Sequence, residues 1–184
     1  DLSLSMEGKV DIAKVVNDVK LILHNNLPYY TKSWNIPDSN RVSNNQDFRF
    51  DIDVKSLESF ADILGIKNIS IQDFKGKGYL NSSKNEIQIA STFPFLAIKE
   101  NSFYNGTVYV NLLNKVGYLN VHADSSRINK TKIGGVDIGA NVEGDTINWN
   151  LTSNYIVDSV ERVAVRGIVS PHPEGYQLRI LNND

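Results

Sequence analysis

Apolar and polar residues alternate over most of this chain. Phe48, Phe50, Ile52 and Val54 interleave with Arg49, Asp51, Asp53 and Lys55. The same pattern recurs in Val108 to Leu112, Val136 to Val142, Ile147 to Leu151 and Tyr176 to Ile180. A period of two places successive side chains on opposite faces, so these segments read as half-buried strands. Strands are expected at 1–6, 48–55, 69–81, 86–92, 95–100, 105–113, 116–124, 127–132, 135–143, 146–152, 160–170 and 175–182. Asn81 to Asn85, Asn114-Lys115, Glu143-Gly144-Asp145 and Pro171 to Gly175 punctuate them with turn chemistry. Close spacing with short turns predicts an antiparallel meander.

Two segments switch to helical spacing. Asp11 stands as an N-cap before Ile12, Val15, Val16, Val19, Ile22 and Leu23, and Pro28 ends the run. Ser56 caps a shorter run of Leu57, Phe60, Ala61, Ile63 and Leu64, stopped by Gly65. Helices are therefore predicted at about 11–26 and 56–64. Residues 29–47 read as a surface-crossing loop with Tyr29, Tyr30 and Trp34 as anchors.

The alternation collects one apolar face. It holds Phe48, Phe50, Ile52, Val54, Phe74, Leu80, Ile87 and Ile89, then Val108, Val110, Leu112, Leu119 and Val121. It continues through Val136, Ile138, Ala140, Val142, Ile147, Trp149, Leu151, Val163, Val165, Val169, Leu178 and Ile180. The opposite face carries Lys75, Lys77, Gln88, Asn111, His122, Asp137, Asn141, Asn148, Arg166 and Arg179, among others. Gly76, Gly78, Gly117, Gly139 and Gly167 lie inside strands, where glycine marks bends in a curved sheet. The fold class expected is all-β, mainly antiparallel: a strongly curved, folded-over sheet with two short helices, as a single domain over 1–184.

Composition narrows the chemistry. The chain has 184 residues, 41% hydrophobic and 22% charged, with a net charge of −2 and no cysteine. That excludes disulfides and thiolate chemistry, and the lack of a basic block argues against nucleic acid as a partner. His24, His122 and His172 are scattered and have no partner ligands at strand or helix spacing. Asp51 and Asp53 share a strand face, but a lone pair of carboxylates is a weak cation site. Gly76-Lys77-Gly78 lacks the third glycine and the helix of a nucleotide loop. The expectation is no metal, no cofactor and no catalysis. The strand-like first residues, with no initiator methionine, suggest a fragment of a longer protein.

The order of pieces also resembles the translocation and assembly module TamB family of AsmA-like envelope proteins, in its Bacteroidetes form. The pieces are a strand, Gly8-x-Val10-Asp11 and a helix ending near Leu27-Pro28; Phe48-x-Phe50-x-Ile52; and Leu57-x-x-Phe60-x-x-Ile63-Leu64. They continue with Gly76-x-Gly78-Tyr79-Leu80-Asn81, Thr92-Phe93-Pro94-Phe95-Leu96, Ile147-Asn148-Trp149-Asn150 and Val165-x-Gly167-x-Val169. The resemblance implies a segment of a long, repetitive periplasmic protein, anchored in the inner membrane and reaching an Omp85-type outer-membrane barrel. It implies a taco-like groove whose apolar face, lined by the residues above, carries phospholipid acyl chains between membranes. Two alternatives stay open on the residues alone: a scaffold that pairs its edge strands with nascent outer-membrane proteins, and an ordinary β-sandwich binding or adhesion module.

Overall fold

Among the described residues ten strands follow one another into a single antiparallel sheet, each paired with its neighbour in sequence. The structure, a computed structural model, describes residues 2–34, 45–56, 68–129, 131–156 and 160–181. The strands are β1 (Leu2–Lys9), β2 (Asp47–Ser56), β3 (Ile69–Asn81), β4 (Glu86–Ile98) and β5 (Asn101–Leu113). After them come β6 (Val116–Ile128), β7 (Thr131–Glu143), β8 (Thr146–Ile156), β9 (Val160–His172) and β10 (Gly175–Leu181). One helix, α1 (Ile12–Asn26), joins β1 to β2. The sheet is not closed into a barrel: β1 and β10 are its two edges. The second helix expected at 56–64 falls on 57–67, outside the described residues apart from Ser56, which ends β2.

Several boundaries differ from the sequence reading, mostly for one physical reason. The strands expected at 86–92 and 95–100 are one strand, β4, running through Pro94. Likewise 116–124 and the first part of 127–132 form β6, while the rest of 127–132 joins 135–143 in β7. The breaks lie along one line across the sheet. There the described partner ladder skips Asp73, Pro94, Asn105 and Asp124 and shifts between Ile133 and Val136. Asp73 and Asn105 both have φ 49°, a left-handed conformation inside a strand. Apolar positions on either side of the line are three residues apart: Phe74 and Ile71, Phe93 and Leu96, Gly106 and Phe103, Val136 and Ile133. Odd spacing shifts the alternation by one, so a continuous strand imitates a strand end. Aligned irregularities let neighbouring strands bend together, forming a crease.

Gly78 and Gly167, two of the in-strand glycines expected to mark bends, and Gly106 as well, each seat a large side chain of a neighbouring strand. A Cβ on Gly78 would lie 2.4 Å from the Phe50 ring, one on Gly106 2.0 Å from Phe93, and one on Gly167 2.7 Å from Trp149. Each glycine is a flat seat across which a large side chain on the neighbouring strand lies.

Asparagine concentrates where the backbone turns left-handed. Asn85, Asn114 and Asn129 have φ of 52°, 49° and 54°. Asn114 and Lys115, both at positive φ between paired Leu113 and Val116, make the two-residue turn whose twist suits a hairpin.

Helix α1 forms as expected, with a difference at its cap. Asp11 occupies the N-cap in an extended conformation but makes no side-chain capping bond. Its carboxylate pairs with Lys14 at 3.3 Å, and Gln46 holds its backbone instead. Gln46 Oε1 accepts from Asp11 N at 2.7 Å, and Gln46 Nε2 donates to Asp11 O at 3.2 Å. The stripe of Val15, Val19, Ile22 and Leu23 packs on Phe48, Leu80, Ile87 and Leu112. This cluster is the described hydrophobic core.

Candidate functional site

In an antiparallel sheet, directly opposite residues share a face, so the pairing register assigns every predicted lining residue. The first row across the sheet is Gly8, Phe48, Leu80, Ile87, Leu112, Gly117, Val142, Ile147, Val169 and Leu178. The second is Met6, Phe50, Gly78, Ile89, Val110, Leu119, Ala140, Trp149, Gly167 and Ile180. The third is Leu4, Ile52, Gly76, Ser91, Val108, Val121, Ile138, Leu151 and Val165. A fourth, along the crease, holds Leu2, Val54 and Phe74, then Phe93, Gly106, Ala123, Val136, Ser153 and Val163. All the lining residues named from the alternation fall on this one face. Phe93 and Ala123 belong to it and were missed, because both border the phase shift. Ser91 and Ser153 interrupt it with hydroxyls.

Burial differs between the rows, and the fourth as well as the first holds buried residues: Val54, Phe93 and Ala123. Helix α1 covers the first row from β2 to β5, and Phe48, Leu80, Ile87 and Leu112 are buried. Ile52, Val108, Val121, Ile138, Leu151 and Val165 in the third row are only half-buried. At the edges the same face is exposed: Leu4 is 53% accessible on β1, and Leu178 and Ile180 are 60% and 58% accessible on β10. All described strands belong to one sheet, so no second described sheet covers the face.

One row of turns is laced together. Asn26, fully buried, donates from Nδ2 to Ile22 O (2.8 Å) and Asn85 O (3.0 Å), and its Oδ1 accepts from Lys115 N at 2.6 Å. Tyr29 N donates to Asp145 Oδ1 at 3.0 Å, and its hydroxyl contacts the carbonyls of His172 and Gly175. Tyr30 OH donates to Asp145 O at 2.9 Å, and its ring stacks on Tyr176 with centroids 5.2 Å apart. Burial, first, and the nearby Asp145 raise the Tyr30 pKa. The C-terminus of α1 and the residues after it thus touch all four hairpins at this end: β3–β4, β5–β6, β7–β8 and β9–β10. Tyr29 and Tyr30, two of the three anchors expected for a loop over 29–47, hold its described start, Trp34 is exposed, and residues 35–44 lie outside the described residues. The sequence offers no signal for the tyrosines' partners, which lie more than a hundred residues away.

Helix α1 also brings a carboxylate, Asp18, to complete burial beside the core. The alternation of the strands gave no warning of it.

The histidines separate in character. His24 Nδ1 lies 3.0 Å from Thr31 Oγ1, and His172 Nδ1 accepts from Glu174 N. His122, on the polar face, does have partners, contrary to expectation. Its Nδ1 is 2.7 Å from Asp137 and its Nε2 3.1 Å from Asp124. Asp124 is two residues along the same strand, a spacing the sequence shows. Asp137 is the cross-strand neighbour, visible only once β6 and β7 are in register. Hydrogen bonds to Asp137 and then Asp124 raise the His122 pKa. Asp51 and Asp53 face Lys77 and Lys75 across the β2–β3 pair, and Lys75 lies 3.8 Å from Asp53. Among the described residues no three His, Asp or Glu side chains converge as a metal site, and no described helix is long and apolar enough to cross a membrane.

Comparison with family models, with curated proteins and with solved structures finds no match in any of the three.

Proposed function

We propose that this chain is a non-enzymatic lipid-carrying segment whose apolar sheet face holds phospholipid acyl chains. The observation that carries the reading is one apolar face running over all ten described strands of an open sheet, buried in parts of its first and fourth rows, largely half-buried along the two between them and exposed at both edges. Burying an acyl chain is worth about 0.8 kcal/mol per CH₂. With α1 seated on the first row, the second and third rows are the track left for a chain. Their side chains are almost all hydrocarbon, though they range from Gly76, Gly78 and Gly167 to Phe50 and Trp149, so the track varies in depth but hardly in polarity and a lipid tail meets apolar surface along its length. A charge there would be a barrier, and neither row contains one. We place the segment in a TamB-like periplasmic protein, anchored in the inner membrane and working with an Omp85-type barrel. The order of sequence pieces supports that placement.

The test is direct. The protein is incubated with phosphatidylethanolamine and phosphatidylglycerol vesicles, separated from them, and analysed by mass spectrometry for co-purifying lipid. Stoichiometric phospholipid, displaced by free fatty acid, is expected. Re-isolated protein free of lipid would overturn the reading. A second reading, edge-strand pairing with nascent outer-membrane strands, draws on the exposed apolar residues of β1 and β10 and on the general capacity of open edges for β-augmentation. It predicts crosslinks to extended peptides at β1 or β10 in lipid-free protein.

A further inference from the structure

The polar face carries a depression that the lipid reading leaves unused. Between two rows of outward side chains on β1 to β5 runs a trough of about 510 Å³. One wall is Ser5, Asp51, Lys77, Ala90 and Tyr109, in register across five strands. The other includes Asp53, Lys75, Thr92 and Thr107. Its floor is backbone of the residues between the rows, whose side chains belong to the apolar face. A second trough of about 320 Å³ shares the first wall and adds Arg49, Tyr79 and Gln88. The shared wall drops at Ala90, whose methyl is the lowest point between Lys77 and Tyr109. The two troughs share Asp51, Lys77, Ala90 and Tyr109 as lining, and each is in the size range of small-ligand sites.

We infer that this face binds a neutral oligosaccharide seated over Ala90. Three features of the face select that chemistry. Within the first trough the charges cancel, since Asp51 faces Lys77 and Asp53 faces Lys75, and the one further charge, Arg49 of the second trough, lies over the Tyr79 ring. Tyr109, 39% accessible, offers an apolar ring surface and has Tyr118 beside it at 5.8 Å between centroids. Such faces suit the C–H side of a pyranose. Around them Gln88, Thr92, Lys77 and Asp51 supply donors and acceptors of both kinds for vicinal hydroxyls. The site lies on the opposite face from the lipid track, so the two readings stand or fall separately.

The test titrates the whole chain with maltotetraose, cellotetraose and chitotetraose while following backbone amide resonances. At least one sugar is expected to shift amides of β3, β4 and β5 around Ala90. Ala90→Tyr, which fills the low point of the shared wall from the solvent side, is expected to abolish those shifts without lowering the melting temperature. Tyr109→Ala is expected to weaken binding about two- to tenfold through lost stacking, and Tyr109→Phe to retain most of it. No shifts with any of the three sugars, shifts mapping elsewhere, or undiminished binding by Ala90→Tyr would each overturn the proposal.

Discussion

A charge placed on each face of one strand separates the groove reading from its rivals. Ile138 sits on β7 between Val121 and Leu151 in the third apolar row, half-buried. Asn141, three residues on, is exposed on the polar face opposite Tyr118 and Asn148. Ile138→Asp forfeits the side chain's partial burial, about 1 to 1.5 kcal/mol for a half-covered isoleucine. It also sets a carboxylate against hydrocarbon. If partial desolvation lifts its pKa by one to two units, that adds roughly 1.4 to 2.7 kcal/mol at neutral pH. The sum, about 2.4 to 4.2 kcal/mol, lies below the 5 to 15 kcal/mol typical of a domain. The variant should therefore fold, with its melting temperature lowered by roughly 5 to 17 °C. Asn141→Asp should stay within about 0.5 kcal/mol of the parent. Thermal melts give the first comparison, and displacement of a fluorescent fatty acid gives the second. Ile138→Asp should weaken acyl-chain binding by on the order of ten- to a hundredfold, while Asn141→Asp leaves it intact. Equal behaviour of the two variants in both assays would refute the face assignment. Outright unfolding of Ile138→Asp would point instead to a dry, closed core.

The other predictions concern the laced end and the polar face. Asn26→Ala removes bonds to Asn85 O and Lys115 N from a fully buried position and should cost about 2 to 4 kcal/mol. Faster hydrogen exchange at the Lys115 amide reads the loss, and unchanged exchange there would mean that the lacing is incidental. For His122 the folded-state pKa is raised above 6.5 by Asp137 and Asp124. Its contribution to stability is therefore fully present below the unfolded pKa and is lost as pH rises through the folded value. Denaturation midpoints of the parent should decline through that window more steeply than those of His122→Gln, and parallel curves would contradict the pairing.

Local pattern was enough to sort side chains between faces, because a strand's period of two is a property of the backbone itself. It also located α1, whose apolar residues recur at helical spacing, and the hairpins whose asparagines and glycines take left-handed turns. It misread Pro94 and the segments around Asn105 and Asp124 as strand ends. A bulge and a chain break look the same when only the phase of the alternation is visible. The crease became evident only when irregularities in neighbouring strands lined up. The docking of Asn26, Tyr29 and Tyr30 onto distant turns, the burial of Asp18 and the clasp of Asp137 on His122 were equally hidden. Each depends on groups far apart in sequence, and no local propensity encodes where the chain will bring them. Whether the apolar face would meet a second sheet was likewise decided by tertiary structure. Alternation sets which side of a strand is greasy, and only the pairing order of all ten described strands, left open between β1 and β10, sets what lies opposite it.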